Sequence, residues 1–98
     1  MNILQMELGQ RLRVLRESKG LLLREVAAHL EIDTALISKI ERGEKRCKRD
    51  HIPKLASILN ADEKELTILW LAESIFPNLS GEEHALATLE HLKRRLKQ

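Results

Sequence analysis

Apolar residues return every three or four positions along nearly the whole chain, with charged and polar residues between them. This is the pattern of helices that each bury one stripe. Leu8, Leu12 and Leu15 share such a stripe and Gly20 follows as a left-handed stop, so a first helix is expected from Leu4 to Lys19. Val26, Ala27 and Leu30 mark a second, short helix. It closes at Glu31, Ile32 and Asp33, where Ile32 plugs inward and Asp33 caps the next helix by accepting a backbone N–H. The third helix is expected from Thr34 to about Arg42, burying Leu36 or Ile37 together with Ile40, and Gly43 ends it in the left-handed conformation.

A charged loop from Glu44 to Arg49 separates these helices from a fourth, capped by Asp50, which carries Pro53 in its first turn and buries Ile52, Leu55, Ala56 and Leu59 before Asn60 closes it. Asp62 with Glu65 three residues later reads as a capping box for a fifth helix. That helix is apolar almost all round, through Leu66, Ile68, Leu69, Trp70, Leu71, Ile75 and Phe76, and Pro77 and Asn78 are expected to break it. Ser80 with Glu83 reads as a second box, opening a sixth helix to about Leu96 with Ala85, Leu89, Leu92 and Leu96 on one stripe. The fold class is therefore all-α, with no internal repeat and no low-complexity linker.

Composition agrees. Ninety-eight residues suffice for one compact core, and the β-formers are scarce, with no Tyr and a single Phe and Trp. The lone Cys47 cannot form an internal disulfide, and no stretch reads as a signal peptide or membrane span, so a cytoplasmic location is expected. A formal charge of +2 is too mild to name a partner. Its distribution says more. Between Lys39 and Lys54 stand Lys39, Arg42, Lys45, Arg46, Lys48, Arg49 and Lys54 against Glu41, Glu44 and Asp50, a local net charge of +4.

The segment EVAAHLEIDTALISKIERG, Glu25 to Gly43, places two short amphipathic helices across a tight three-residue turn. That leaves the second free to enter a major groove. With Ala27 in the first helix, Ile32 in the turn, and Ile37, Ser38, Ile40, Glu41 and Gly43 in an I-S-x-I-E-x-G ending, the chain resembles the XRE or lambda-repressor-like helix-turn-helix family. Leu55, Ala56 and Leu59 extend the resemblance, which covers roughly Leu8 to Ile75. It implies a five-helix lambda-repressor-like DNA-binding domain with an additional C-terminal helix. Three positions depart from the pattern. Leu22 and Leu23 replace a common Thr cap and phosphate-binding Gln, so that contact is either absent or taken over by Arg24, and Glu31 stands where Gly is common.

The domain expectation is a DNA-binding unit over 1–78, with the helix-turn-helix at 23–43, and a C-terminal helix over 79–98 for dimer or partner contact. A recognition helix needs short or polar side chains where its backbone nears base edges, and Thr34, Ala35, Ser38 and Lys39 supply them. Arg24, Arg42, Lys45, Arg46, Lys48 and Arg49 are expected on phosphates, adding salt-dependent affinity without reading sequence. Arg11, Arg13 and Arg16 read as surface residues. Operators of this family are normally palindromes bound by twofold dimers, and the resemblance to restriction-modification controller proteins puts the isologous contact on the fifth helix. Leu66, Leu69, Trp70 and Ile75 are the candidates there. Leu89, Leu92 and Leu96 fit equally a short zipper or packing onto their own domain.

Double-stranded DNA and a second copy are thus the expected partners, for a repressor or autoregulator. A competing reading from another class is a protein-interaction module, such as an antitoxin whose last helices hold a partner. His84 and His91 lie two turns apart with no second ligand pair, so neither metal nor cofactor is expected. His29 and His51 read as surface or helix-start residues, and Cys47 as an uncharged filler between cations. With no phosphate loop, nucleophile elbow or paired-carboxylate cleft, no enzyme is expected.

Overall fold

A computed structural model describes residues 7–98. Six helices follow in order: α1 Leu8–Ser18, α2 Leu23–Leu30, α3 Thr34–Glu41, α4 His51–Leu59, α5 Glu63–Leu79 and α6 Ala85–Leu96, and no strand occurs among the described residues. The start expected for the first helix at Leu4 lies outside the described residues. One core joins α1 to α5 and takes Leu8 and Leu12 from α1, Val26, Ala27 and Leu30 from α2, and Ile37 and Ile40 from α3. It is completed by Ile52, Leu55, Ala56 and Leu59 from α4 and Leu66 and Leu69 from α5. Of the two residues left open in α3, Ile37 is fully buried and Leu36 lies at the edge of the core.

Four helices stop in the same way. After α1 the N–H of Leu21 reaches the Arg16 carbonyl and that of Gly20 reaches Glu17. After α2, Ile32 reaches Ala27 and Glu31 reaches Ala28; after α3, Glu44 reaches Lys39 and Gly43 reaches Ile40; after α4, Ala61 reaches Ala56 and Asn60 reaches Ser57. Each is a Schellman closure around a left-handed residue. Glu31 has φ 59° and Asn60 φ 50°. Leu21, Ile32 and Ala61, one residue further on, turn back against the core, which offsets the roughly 1 kcal/mol that a left-handed non-Gly residue costs.

Several expected caps do not form. The side chains of Asp33 and Asp50 make no capping bond; the Asp33 backbone carbonyl accepts from Leu36 and Ile37 instead. Asp62 does accept from the N–H of Lys64, yet Glu65 leaves the expected box because its carboxylate is drawn to Arg11 on α1, 2.6 Å away. The Ser80–Glu83 box is also absent, and α6 starts later, at Ala85. Nor does Pro77 break α5, which continues to Leu79. The ring already has a helical φ and forfeits only the bond to Glu73, one turn from the end, where carbonyls lose their helical partners in any case.

Long-range contacts set how α1 crosses the rest. The backbone N–H of Leu8, unpaired within α1, donates to the Glu73 carboxylate of α5 at 2.7 Å. At Gly9 the helix meets the end of α3 so closely that a Cβ would stand 2.6 Å from the Glu41 carbonyl oxygen, and closer to that of Ile40.

Candidate nucleic-acid interface

The turn through Glu31, Ile32 and Asp33 holds α3 against α1 and α2 by its buried face, Ile37, Ile40 and Glu41. Residues 34, 35, 38, 39 and 42 follow one another at helical spacing on the opposite side. Thr34, Ala35 and Lys39 are exposed and Ser38 is half-buried. Lys39 makes no ion pair or side-chain hydrogen bond among the described residues. The four candidate base-reading residues thus share one accessible face, flanked by Arg42, whose guanidinium donates to Ser38 Oγ and to the Glu44 carboxylate. Glu44 raises the Arg42 pKa and is itself held below the ordinary carboxylate range by Arg42.

What sets the inclination of this face is a buried ion pair that sequence reasoning left on the surface. Arg16 of α1 donates to both Glu41 oxygens, at 2.7 and 3.1 Å, and to the Leu21 carbonyl at 2.8 Å. Glu41 is 8 % exposed and the guanidinium pKa is raised, chiefly by the hydrogen bond to Glu41. A bidentate fork of this kind fixes angle as well as distance, so the last turn of α3 is locked to α1. Arg11 likewise serves structure, through Glu65, while Arg13 pairs with Glu17 on the surface.

The basic loop after α3 is pinned at three points. Cys47 is no filler; its side chain is buried among the core residues, and burial followed by the charge of Glu73 pushes its thiol up to about 11, so it stays protonated. Its carbonyl accepts from Trp70 Nε1 at 2.8 Å. Arg46 lies 3.7 Å from the Trp70 ring centroid and donates to the Trp70 carbonyl. Lys45, Lys48 and Arg49 are exposed, with Arg49 5.8 Å from the same ring. His51, at the start of α4, has its pKa lowered by burial and by Lys48 and Lys54, so near neutrality it adds no charge to this patch.

The expected dimer residues divide. Leu66 is 0 % and Leu69 5 % exposed, both in the protomer's own core, so neither can meet a second copy without opening it; this corrects the sequence expectation for the pair. Trp70 is half-buried and committed to the loop. Ile75 is exposed, as are Ile68, Leu71 and Phe76, and on α6 Leu86, Leu89, Leu92 and Leu96.

A family profile described as Helix-turn-helix domain matches residues 7–68. The chain belongs to this helix-turn-helix family. It is a DNA-binding regulator of transcription of the XRE kind. Among solved structures it is similar to the restriction-modification controller protein C.AhdI from Aeromonas hydrophila, with 37% identity and a TM-score of 0.56, over 60% of this chain and 89% of that one. No curated protein matches. Within the family frame, exposed Leu22 stands ahead of α2 with its N–H held by Glu25 at 2.8 Å, and Arg24 is exposed on the first turn. The family match stops before α6. No helix among the described residues is long and apolar enough to cross a membrane.

Proposed function

We propose that the protein is a homodimeric repressor or autoregulator that binds a palindromic operator, placing α3 of each copy in successive major grooves. The observation that carries this reading is the exposed face of Thr34, Ala35, Ser38 and Lys39, held rigidly by the Arg16–Glu41 fork beside a pinned cationic loop. Lys39 reaches a guanine edge, Thr34 and Ser38 pair with neighbouring bases, and the Ala35 methyl meets a thymine methyl. Arg24, Arg42, Lys45, Arg46, Lys48 and Arg49 bind phosphates and set register. Residues 1–78 form the DNA-binding unit and 79–98 the contact helix, acting in the cytoplasm on double-stranded DNA without catalysis. The likeness to a restriction-modification controller protein supports a regulatory role.

Dimerisation follows from operator symmetry. On α5 it uses Ile75 with Ile68 and Leu71, which stand at i, i+3 and i+7 and are all exposed. The exposed leucines of α6 favour a second reading, an antitoxin-like module whose last helix holds a different protein.

The test compares Lys39→Ala with Lys45→Ala on an operator selected from a pool of random duplexes and on random duplex. Lys39→Ala is expected to lower discrimination by about 1 to 3 kcal/mol. Lys45→Ala weakens both duplexes alike and reduces the salt slope by about one. Equal losses for Lys39→Ala on the two duplexes would remove it from base reading.

A further inference from the structure

We infer that α6 pairs antiparallel with α6 of a second copy, forming a two-helix seam across the dimer axis. The inference rests on the homodimer reading above and specifies which surface closes it. Among the described residues α6 has no buried side chain and no extensive packing against another helix, yet four of its twelve residues are exposed leucines. Leu86 is 82 % and Leu96 85 % exposed, with Leu89 and Leu92 between them. Ala85, Leu89, Leu92 and Leu96 are spaced four, three and four apart, the seam of a two-stranded coil. Packing back onto the protomer, the other role open to these leucines, is only partial: Leu89 and Leu92 stay 42 % and 39 % exposed, and Leu86 and Leu96 are left open.

Charge selects the occupant and the direction. Glu82 and Glu83 precede the helix, whereas Lys93, Arg94, Arg95 and Lys97 crowd its end, all of them exposed. A parallel pair would set the two cationic ends side by side, a juxtaposition that costs rather than contributes. An antiparallel pair sets each cationic end beside the acidic start of the other and opposes the two helix dipoles. The register is then fixed by shape. Leu89 meets Leu92 of the partner subunit and Ala85 meets Leu96 of the partner subunit, a small residue against a large one at each end. Twelve residues span only about 18 Å, too short to hold a dimer unaided, so the seam works with the exposed α5 residues.

Sedimentation and cysteine cross-linking of the full chain test this. Leu89→Asp with Leu92→Asp should halve the sedimenting mass at micromolar concentration while helicity is retained, since neither side chain is buried. Ala85→Cys and Leu96→Cys chains, mixed and oxidised, should give a disulfide-linked dimer that neither forms alone, because in this register like positions stand about 16 Å apart along the helix. Cross-linking of each variant with itself would establish a parallel pair and overturn the inference. An unchanged dimer mass in the Asp variant, with no mixed cross-link, would also overturn it while leaving the homodimer standing on α5. A wild-type chain that sediments as a monomer would overturn both and leave the leucine face to a different protein.

Discussion

The guanidinium of Arg46 lies over the ring of Trp70 and donates to that residue's carbonyl, while the Trp70 indole N–H donates back to the next loop residue, Cys47. A helix that does not touch the candidate recognition face therefore sets the position of the cationic loop beside it. Its contacts are local enough to measure.

Arg46 and Lys48 are two cations of one loop with different surroundings. Arg46→Ala should lower the urea-unfolding free energy by about 0.5 to 1 kcal/mol through loss of the stack, in addition to weakening DNA binding. Lys48→Ala should leave stability within about 0.5 kcal/mol and reduce the salt slope of DNA binding by about one. Trp70 is the chain's only tryptophan, so its emission reads the stack directly. Emission in Arg46→Ala should differ from wild type and in Lys48→Ala should not.

The Arg16–Glu41 fork is buried enough that removing one partner strands the other. Glu41→Ala should cost about 3 kcal/mol or more by chemical denaturation. Replacing both, as Arg16→Met with Glu41→Leu, should recover much of that loss, because the desolvation cost disappears with the charges. Matching losses in the single and double variants would show that the site needs the charged pair itself.

Gly9 sits where backbone meets backbone. Gly9→Ala gains helix propensity of about 1 kcal/mol but drives a Cβ into the carbonyls of Ile40 and Glu41. A net destabilisation of about 2 kcal/mol or more is expected by thermal or urea unfolding. Gly20→Ala probes a different cost, since nothing lies near a Cβ there and only its left-handed φ of 67° opposes the change, so about 1 kcal/mol is expected.

Six helices, their order and most of the core were legible in the sequence because apolar spacing and left-handed stops are local signals, as Gly20, Gly43 and Asn60 illustrate. Several of the missed features depend on partners distant in sequence. Glu65 forms no capping box because Arg11, 54 residues away, takes its carboxylate. Glu73 caps a helix 65 residues upstream. Leu66 and Leu69 read as dimer-face residues because helix five is apolar on several sides, and periodicity alone does not say which side meets the core. Two of the long-range contacts do leave a local signal. A Gly inside an otherwise regular helix, as at Gly9, marks close approach, and a glutamate amid the apolar residues of α3, as at Glu41, calls for a buried cation.

In the proposed dimer, α3 of each protomer reads one half of a palindromic DNA sequence. The most direct measurement is selection of bound duplexes from a random pool at moderate salt, followed by sequencing. Enrichment of an inverted repeat whose half-sites lie about one helical turn, roughly 34 Å, apart is expected, and it should weaken in Lys39→Ala. Binding that enriches no sequence and fades as salt rises would contradict it, reducing the basic loop to non-specific attraction and leaving α6 as the functional surface.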